Sequence, residues 1–247
     1  PFARISQYNN PVLGSFGNPN TTNVFYHRFT SQWGVSTMLS DVKENNPTFF
    51  SLWGGVEDIY ESARNGGVGP TILSSSALGM YLDTIISQIN TEGVIANIPD
   101  FTSFPFYTLV PWNGLDLDQG KTDSLNMTYF GSPTYTGPGA FYLGKNGFMI
   151  EDSASTAPPA GYRKMKEGEY ILLTIPLDSM KCNKLGSFIP LPDRYVLDSA
   201  EVSTVSQATA DYNMVIAAKA QQYGLALVDM HSYFKTVQSG IKWDGVD

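Results

Sequence analysis

The run Asn46-Pro-Thr-Phe-Phe-Ser-Leu-Trp-Gly-Gly-Val-Glu-Asp58 constrains this chain more than any other stretch. A short β-branched and aromatic segment, Thr48 to Gly54, bounded by turn residues, fits a buried parallel strand. In an open α/β sheet, ligands sit beyond the carboxyl ends of the strands, which puts Gly54 to Asp58 at the mouth of any site. A plainer reading also fits. The glycines then serve backbone freedom alone and Asp58 caps the next helix.

The segments around this run have the order of an α/β sheet. Residues 1–30 are rich in Gly, Pro and Asn and read as an irregular surface segment. Gln32 to Glu44 carries Val35, Met38, Leu39 and Val42 at helical spacing. After a helix over Glu57 to Asn65, Gly66-Gly-Val-Gly-Pro70 reads as a turn, too irregular for a nucleotide fingerprint. Ser74 to Ser76 offer caps for a helix with the stripe Leu78, Leu82, Ile85 and Ile89, ended by Gly93. Val94 to Ile98 is the next buried strand, closed by Pro99 and Asp100. From Phe101 to 168 the composition turns to Tyr, Phe, Gly, Pro, Thr and Asn, which predicts a β-rich insertion rather than a second domain. Glu169 to Ile175 is the third strand. Asp198 and Glu201 suit the start of a long helix with Val202, Val205, Tyr212, Ile216 and Ala220 on one face and Gly224 past its end. Leu225 to Asp229 is the last strand. Alternation of this kind predicts an α/β fold with a mostly parallel sheet, a single domain over 1–247.

Composition narrows the partners. Fifteen Lys and Arg against 23 Asp and Glu give a net charge of -8, which repels phosphate backbones, so nucleic acid is not expected. The longest apolar run, Tyr170 to Ile175, is too short for a transmembrane segment. Cys182 stands alone, which excludes an internal disulfide and a multi-cysteine metal site. No cofactor motif is present in the sequence. The chain carries no initiating Met and no signal-peptide pattern, and we expect it to be part of a longer reading frame.

Several stretches, in this order, resemble the SGNH or GDSL hydrolases, in particular the lipoprotein-like members found in Bacteroidetes. They are Asn46 to Trp53 with the Gly55-Val-Glu-Asp58 turn, Gly93-Val-Ile-Ala-Asn-Ile-Pro-Asp-Phe-Thr-Ser-Phe-Pro-Phe106, Tyr170-Ile-Leu-Leu-Thr-Ile-Pro-Leu-Asp-Ser179, Ile189-Pro-Leu-Pro-Asp-Arg-Tyr-Val-Leu197, and Ala208-Thr-Ala-Asp-Tyr-Asn213 leading to Leu227-Val-Asp229. The resemblance implies a three-layer α/β/α, flavodoxin-like sheet and a cell-envelope setting, periplasmic, surface-exposed as an outer-membrane lipoprotein, or secreted. It also implies ester hydrolysis by a Ser nucleophile, a His base oriented by Asp, and an oxyanion hole made of backbone and Asn donors.

Measured against that pattern, the catalytic set is incomplete. The family's third block, Gly-x-Asn-Asp, corresponds to Gly55, Val56, Glu57 and Asp58, so Glu57 stands where the Asn donor belongs. An ionised carboxylate donates no hydrogen bond, and loss of one oxyanion donor costs roughly 3 kcal/mol of transition-state stabilisation. The second block corresponds to Pro1-Phe-Ala-Arg4, with Phe2 at the glycine position. No Gly-Asp-Ser turn precedes the first strand. Thr122-Asp-Ser-Leu125 matches in letters but follows the strand it should precede, which argues against Ser124 as nucleophile. Asp244-Gly-Val-Asp247 imitates Asp-x-x-His without the histidine. His231, two residues after Asp229, reads as a capping or solvent-facing side chain, and His27 as a surface one.

Two functions follow: an SGNH-like envelope protein with a degenerate site that acts as a binding or assembly component, or an active acyl-ester hydrolase whose Ser and His lie outside the chain. The first implies an acylated carbohydrate or lipid ligand, or an outer-membrane protein partner. In that family the nucleophile strand lies inside the sheet, so its absence would leave strand edges and apolar faces uncovered, and we expect either that residues outside these 247 supply it or that the vacancy is filled by a partner or rearranged. An adhesin or shell domain that uses the fold as a scaffold is a third reading.

Three further groupings stand outside this frame. Asp116, Asp118 and Asp123 offer ligands for a hard cation or simply a solvated acidic loop. Trp112, Tyr129, Tyr135, Phe141 and Tyr142 suit an aromatic platform for a sugar or acyl chain, or a small core. Asp152-Ser-Ala154 and Asp198-Ser-Ala200 fit a short O-glycosylation pattern that chance also produces.

Overall fold

The computed structural model describes residues 3–10 and 26–242. The chain forms two compact units. One is built from Pro1–Glu61, Thr71–Asp100 and Ser206–Asp247, the other from Ser62–Pro70 and Phe101–Val205.

The first unit holds a three-stranded, all-parallel sheet in the order Phe49–Leu52, Glu92–Ala96, Ala226–Val228. In-register pairing sets Phe50 opposite Gly93, and Leu52 opposite Ile95 and so Leu227. Paired residues share a face. Phe50, Leu52 and Ile95 are buried on one side, whereas Phe49 is 57% and Val228 39% exposed on the other. Gly93 does not end the preceding helix. It lies inside the central strand, where a Cβ would stand 2.6 Å from the Phe50 ring, so its bare backbone is what lets that ring lie across the sheet.

Local chemistry sets the helices of this unit. Helix Ser75–Ile89 starts where the Ser74 hydroxyl accepts the Ala77 N–H, and stops at Asn90 in the left-handed region. Leu78, Leu82, Ile85 and Ile86 are its buried face. The expected helix from Gln32 begins only at Met38. Thr37 and Ser40 cap each other's backbone, Ser40 N–H donating to Thr37 Oγ1 at 3.0 Å and Thr37 N–H to Ser40 Oγ at 2.8 Å, and Val35 is left exposed outside. The 25-residue helix Ser199–Tyr223, which belongs to this unit from Ser206 on, carries Val205, Tyr212, Ile216 and Ala220 as one buried stripe, with Gly224 at φ 64° beyond its end.

The second unit departs from the sequence reading. The segment expected to be β-rich contains the 12-residue helix Gln119–Phe130, capped by Asp118 and ended by Gly131 at φ 72°. Only Leu125 among its buried residues is apolar; Thr122 and Asn126 complete that face, which hid the helical period. Its strands are three-residue antiparallel pairs, Leu115–Leu117 with Gly144–Asn146 and Met149–Glu151 with Tyr162–Lys164. The unit also runs on past 168 to Val205. The third expected strand does not join the parallel sheet. Only Tyr170–Ile171 is extended, antiparallel to Val196–Leu197; Leu172 is buried just past it, and Ile175, beyond a turn, is buried in a core with Phe148, Ile150 and Leu191. Among the described residues, no helix is long and apolar enough to cross a membrane.

Candidate functional site

The carboxyl ends of the three parallel strands converge in the first unit, and each delivers polar side chains. From the first strand come Gly54, Gly55 and the helix Val56–Arg64, with Glu57 and Asp58 in its first turn. Gly55 sits at φ 90°, and a Cβ there would press within 3.2 Å of Leu78 and 3.3 Å of Tyr212. Position 55 therefore requires glycine for conformation and for room.

Asp58 is fully buried and serves the chain that begins near Ala3. Its Oδ2 accepts the Ile5 N–H at 2.8 Å, and its Oδ1 lies 3.4 Å from Arg4 Nε. Burial pushes the carboxyl up from its ordinary pKa, and the Ile5 amide and the Arg4 guanidinium only partly oppose that. Arg4 also donates to the Thr71 carbonyl at 2.7 Å. Asp58 is thus an anchor for the segment around Arg4, a role the helix-cap reading did not foresee. Glu57 is buried at 8% exposure.

The other two strand ends knot together. Asn97, after the central strand, donates its amide to Asp229 Oδ1 at 2.9 Å and accepts the His231 N–H at 2.8 Å. Asp229 caps helix Met230–Ser239 through the Ser232 N–H. The Ser232 and Asn97 bonds, with His231 close by, hold the Asp229 carboxyl down at about 2. Trp53 Nε1 donates to the Asn97 carbonyl at 3.1 Å. Asn213, on the long helix, grips Ile98 at both ends: the Ile98 N–H donates to Oδ1 at 2.7 Å and Nδ2 donates to the Ile98 carbonyl at 2.9 Å. His231 is half-buried, with Nδ1 3.2 Å from that same carbonyl. The imidazole therefore packs against backbone rather than facing solvent, and it has no serine hydroxyl bonded to it among the described residues.

The remaining candidates lie elsewhere. Ser124 is on helix Gln119–Phe130 in the second unit, exposed, its hydroxyl turned back onto the Gly120 carbonyl at 2.7 Å. Phe2 and Asp244 to Asp247 lie outside the described residues, as does the side chain of His27. Asp118 caps its helix and pairs with Lys121 at 3.2 Å, while Asp123 accepts from Gln119. Among the described residues, no group of three or more His, Cys, Asp or Glu could hold a metal. The aromatic platform divides. Phe141 is core with Leu117, Leu125 and Met149, Tyr129 packs beside it and donates to the Ser187 carbonyl, Trp112 packs on the Phe148 cluster, and Tyr135 stacks on Phe130 at 4.2 Å. Tyr142 is 54% exposed. Asp152 holds Arg163 at 2.6 Å, and Asp198 caps the long helix.

Asn97 and Asn213 went unread as site residues. Asn97 follows a strand and precedes Pro99, a position from which an amide reaches neighbouring strand ends; Asn213 gave no sign in sequence of gripping a distant peptide. No protein-family model, curated protein or solved structure matches the chain.

Proposed function

We propose that this chain is an SGNH-type envelope protein whose esterase site is degenerate and which works as a binding or assembly component, for an acylated carbohydrate, a lipid or an outer-membrane partner. Three parallel strands joined through helices are what a flavodoxin-like, three-layer sheet of that family would contribute. The observation that carries the reading is the state of the carboxyl edge: Asn97, Asp229 and Asp58 hold backbone groups, and His231 lies against the Ile98 carbonyl. A general base needs its imidazole within reach of a nucleophile's proton, and an oxyanion hole needs free donors. A buried carboxylic residue at Glu57, where the family places an amide, points the same way.

Assay of the full reading frame on short-chain p-nitrophenyl esters tests it. We expect no turnover above buffer at neutral pH, and none gained by Glu57→Asn. Turnover by the parent near neutral pH would sink the proposal and restore an active hydrolase.

A further inference from the structure

The second unit holds a cavity of about 460 Å³ that none of the chemistry above uses. Phe130, Pro138, Met149, Pro159 and Tyr162 give it apolar walls, and Arg163, Lys164 and Lys166 are its cations, the first two half-buried and the third exposed. Apolar walls with a few convergent polar groups, in a volume of roughly 300–1,000 Å³, are the usual make-up of small-molecule sites.

The sheet register explains how a charge comes to sit there. Tyr162–Lys164 pairs antiparallel with Met149–Glu151, so Lys164 stands opposite Met149 on one face while Arg163 stands opposite Ile150 on the other. On its face Arg163 is met by Asp152 at 2.6 Å and by Glu169 at 2.8 Å. Lys164 has no such partner. Its ammonium donates to the Ala140 carbonyl and lies 5.1 Å from the Phe141 ring centre and 5.4 Å from that of Tyr142. Among the described residues no carboxylate comes within ion-pair distance of it. Burial accordingly holds its pKa below the ordinary lysine value. An ammonium has three donors, and one is used by Ala140.

A half-buried cation without a counter-ion is costly unless something anionic completes it. We propose that this cavity binds a monocarboxylate with an apolar body the size of a medium-chain fatty acid, its carboxylate on Lys164 Nζ and its chain along Met149, Phe130 and Tyr162. Phosphate fits less well. Its recognition favours a guanidinium fork or several converging donors, whereas the Arg163 fork in the lining is already closed on Glu169 and Asp152 and Lys166 is exposed, which leaves Lys164 as the half-buried cation not held by a carboxylate. The site is independent of the family reading, since it uses none of the parallel-sheet residues.

Titration calorimetry of the full chain with octanoate, 1-octanol and acetate separates charge from body. Octanoate should bind at least about tenfold more tightly than either of the others, and Lys164→Met should weaken octanoate about tenfold while leaving octanol unchanged. Ala157→Trp, at an exposed position of the mouth, should weaken both octanoate and octanol. Absence of octanoate binding, equal affinity for octanol, or an unaltered octanoate affinity in folded Lys164→Met would overturn the proposal. Should Lys164→Met fail to fold by circular dichroism, the Ala157→Trp variant decides, and unchanged octanoate binding there overturns it equally.

Discussion

Arg163 clasps Glu169 through two parallel N–H···O bonds of 2.8 Å, and the carboxylate end of this pair is fully buried. Glu169 also accepts the Lys166 N–H at 2.9 Å and the Ser199 hydroxyl at 2.8 Å, so every lone pair that burial strips of water is replaced. Burial pushes its carboxyl up, but the Arg163 guanidinium, the Lys166 amide and the Ser199 hydroxyl outweigh it and hold the pKa below the ordinary value. The network ties the stretch from Arg163 to Glu169 to Ser199, which is remote in sequence.

Removing one partner strands the other. Glu169→Ala should cost about 2–3 kcal/mol, because Arg163 loses its bidentate partner and keeps only Asp152, whereas Ser199→Ala should cost about 1 kcal/mol. Urea unfolding followed by fluorescence measures both. A Glu169→Ala cost near that of Ser199→Ala would show the network to be dispensable.

Glu201 predicts a pH dependence of the opposite sign. Burial first, then the nearby carboxylates Asp198, Asp193 and Glu169, lift its pKa to about 7 from 4.5. The folded state therefore holds a proton that the unfolded state releases, and stability falls as pH rises from about 4.5 to 7. Because the group is only partly buried, solvent screening limits the effect to about 1 kcal/mol. Glu201→Gln should flatten this slope and raise Tm at neutral pH. Melting curves at pH 5 and pH 8 check it, and a slope that survives the substitution assigns it to another group.

Asp58 distinguishes anchoring from catalysis. Asp58→Asn keeps an acceptor for the Ile5 N–H and removes a charge that burial disfavours, so its cost should stay within about 1 kcal/mol. Asp58→Ala leaves that buried N–H unsatisfied and should cost about 2 kcal/mol. Differential scanning fluorimetry ranks the three proteins; equal losses in both variants would mean the Arg4 ion pair, not the amide, is what matters.

At the strand ends, Asn97→Ala breaks both the bond to Asp229 and the one from the His231 N–H. Hydrogen exchange in helix Met230–Ser239 should then speed up by about tenfold or more, the measure of roughly 1–2 kcal/mol of local stability. Asp229→Ala removes the helix cap and should have a similar but smaller effect, about 1 kcal/mol. Protection unchanged in both variants would mean the helix is held by other contacts.

Two of the helices were legible because their signals are local. Ser74, Asp198 and Gly224 mark helix ends by the chemistry of their own neighbours, and the stripe Val205, Tyr212, Ile216, Ala220 repeats at the helical period. The second unit hid its helix because Thr122 and Asn126 are buried beside Leu125, and Asn126 is there for a reason invisible in sequence: its amide bonds both backbone groups of Phe141. Glu169 to Ile175 was apolar enough for a strand, yet burial in a turn satisfies the same hydrophobicity.

By itself the sequence determined a mixed α/β chain, its strand-to-helix turn at Gly54 to Asp58 and its long capped helix, since periodicity and capping act between near neighbours. Only the tertiary structure decided which apolar runs join the parallel sheet, that Asp58 and Asn97 hold backbone, that Glu169 has Arg163, and that no carboxylate among the described residues reaches Lys164. Those outcomes depend on which residues distant in the chain share one face of a ladder or one buried space, and pairing of that kind leaves no mark in local sequence.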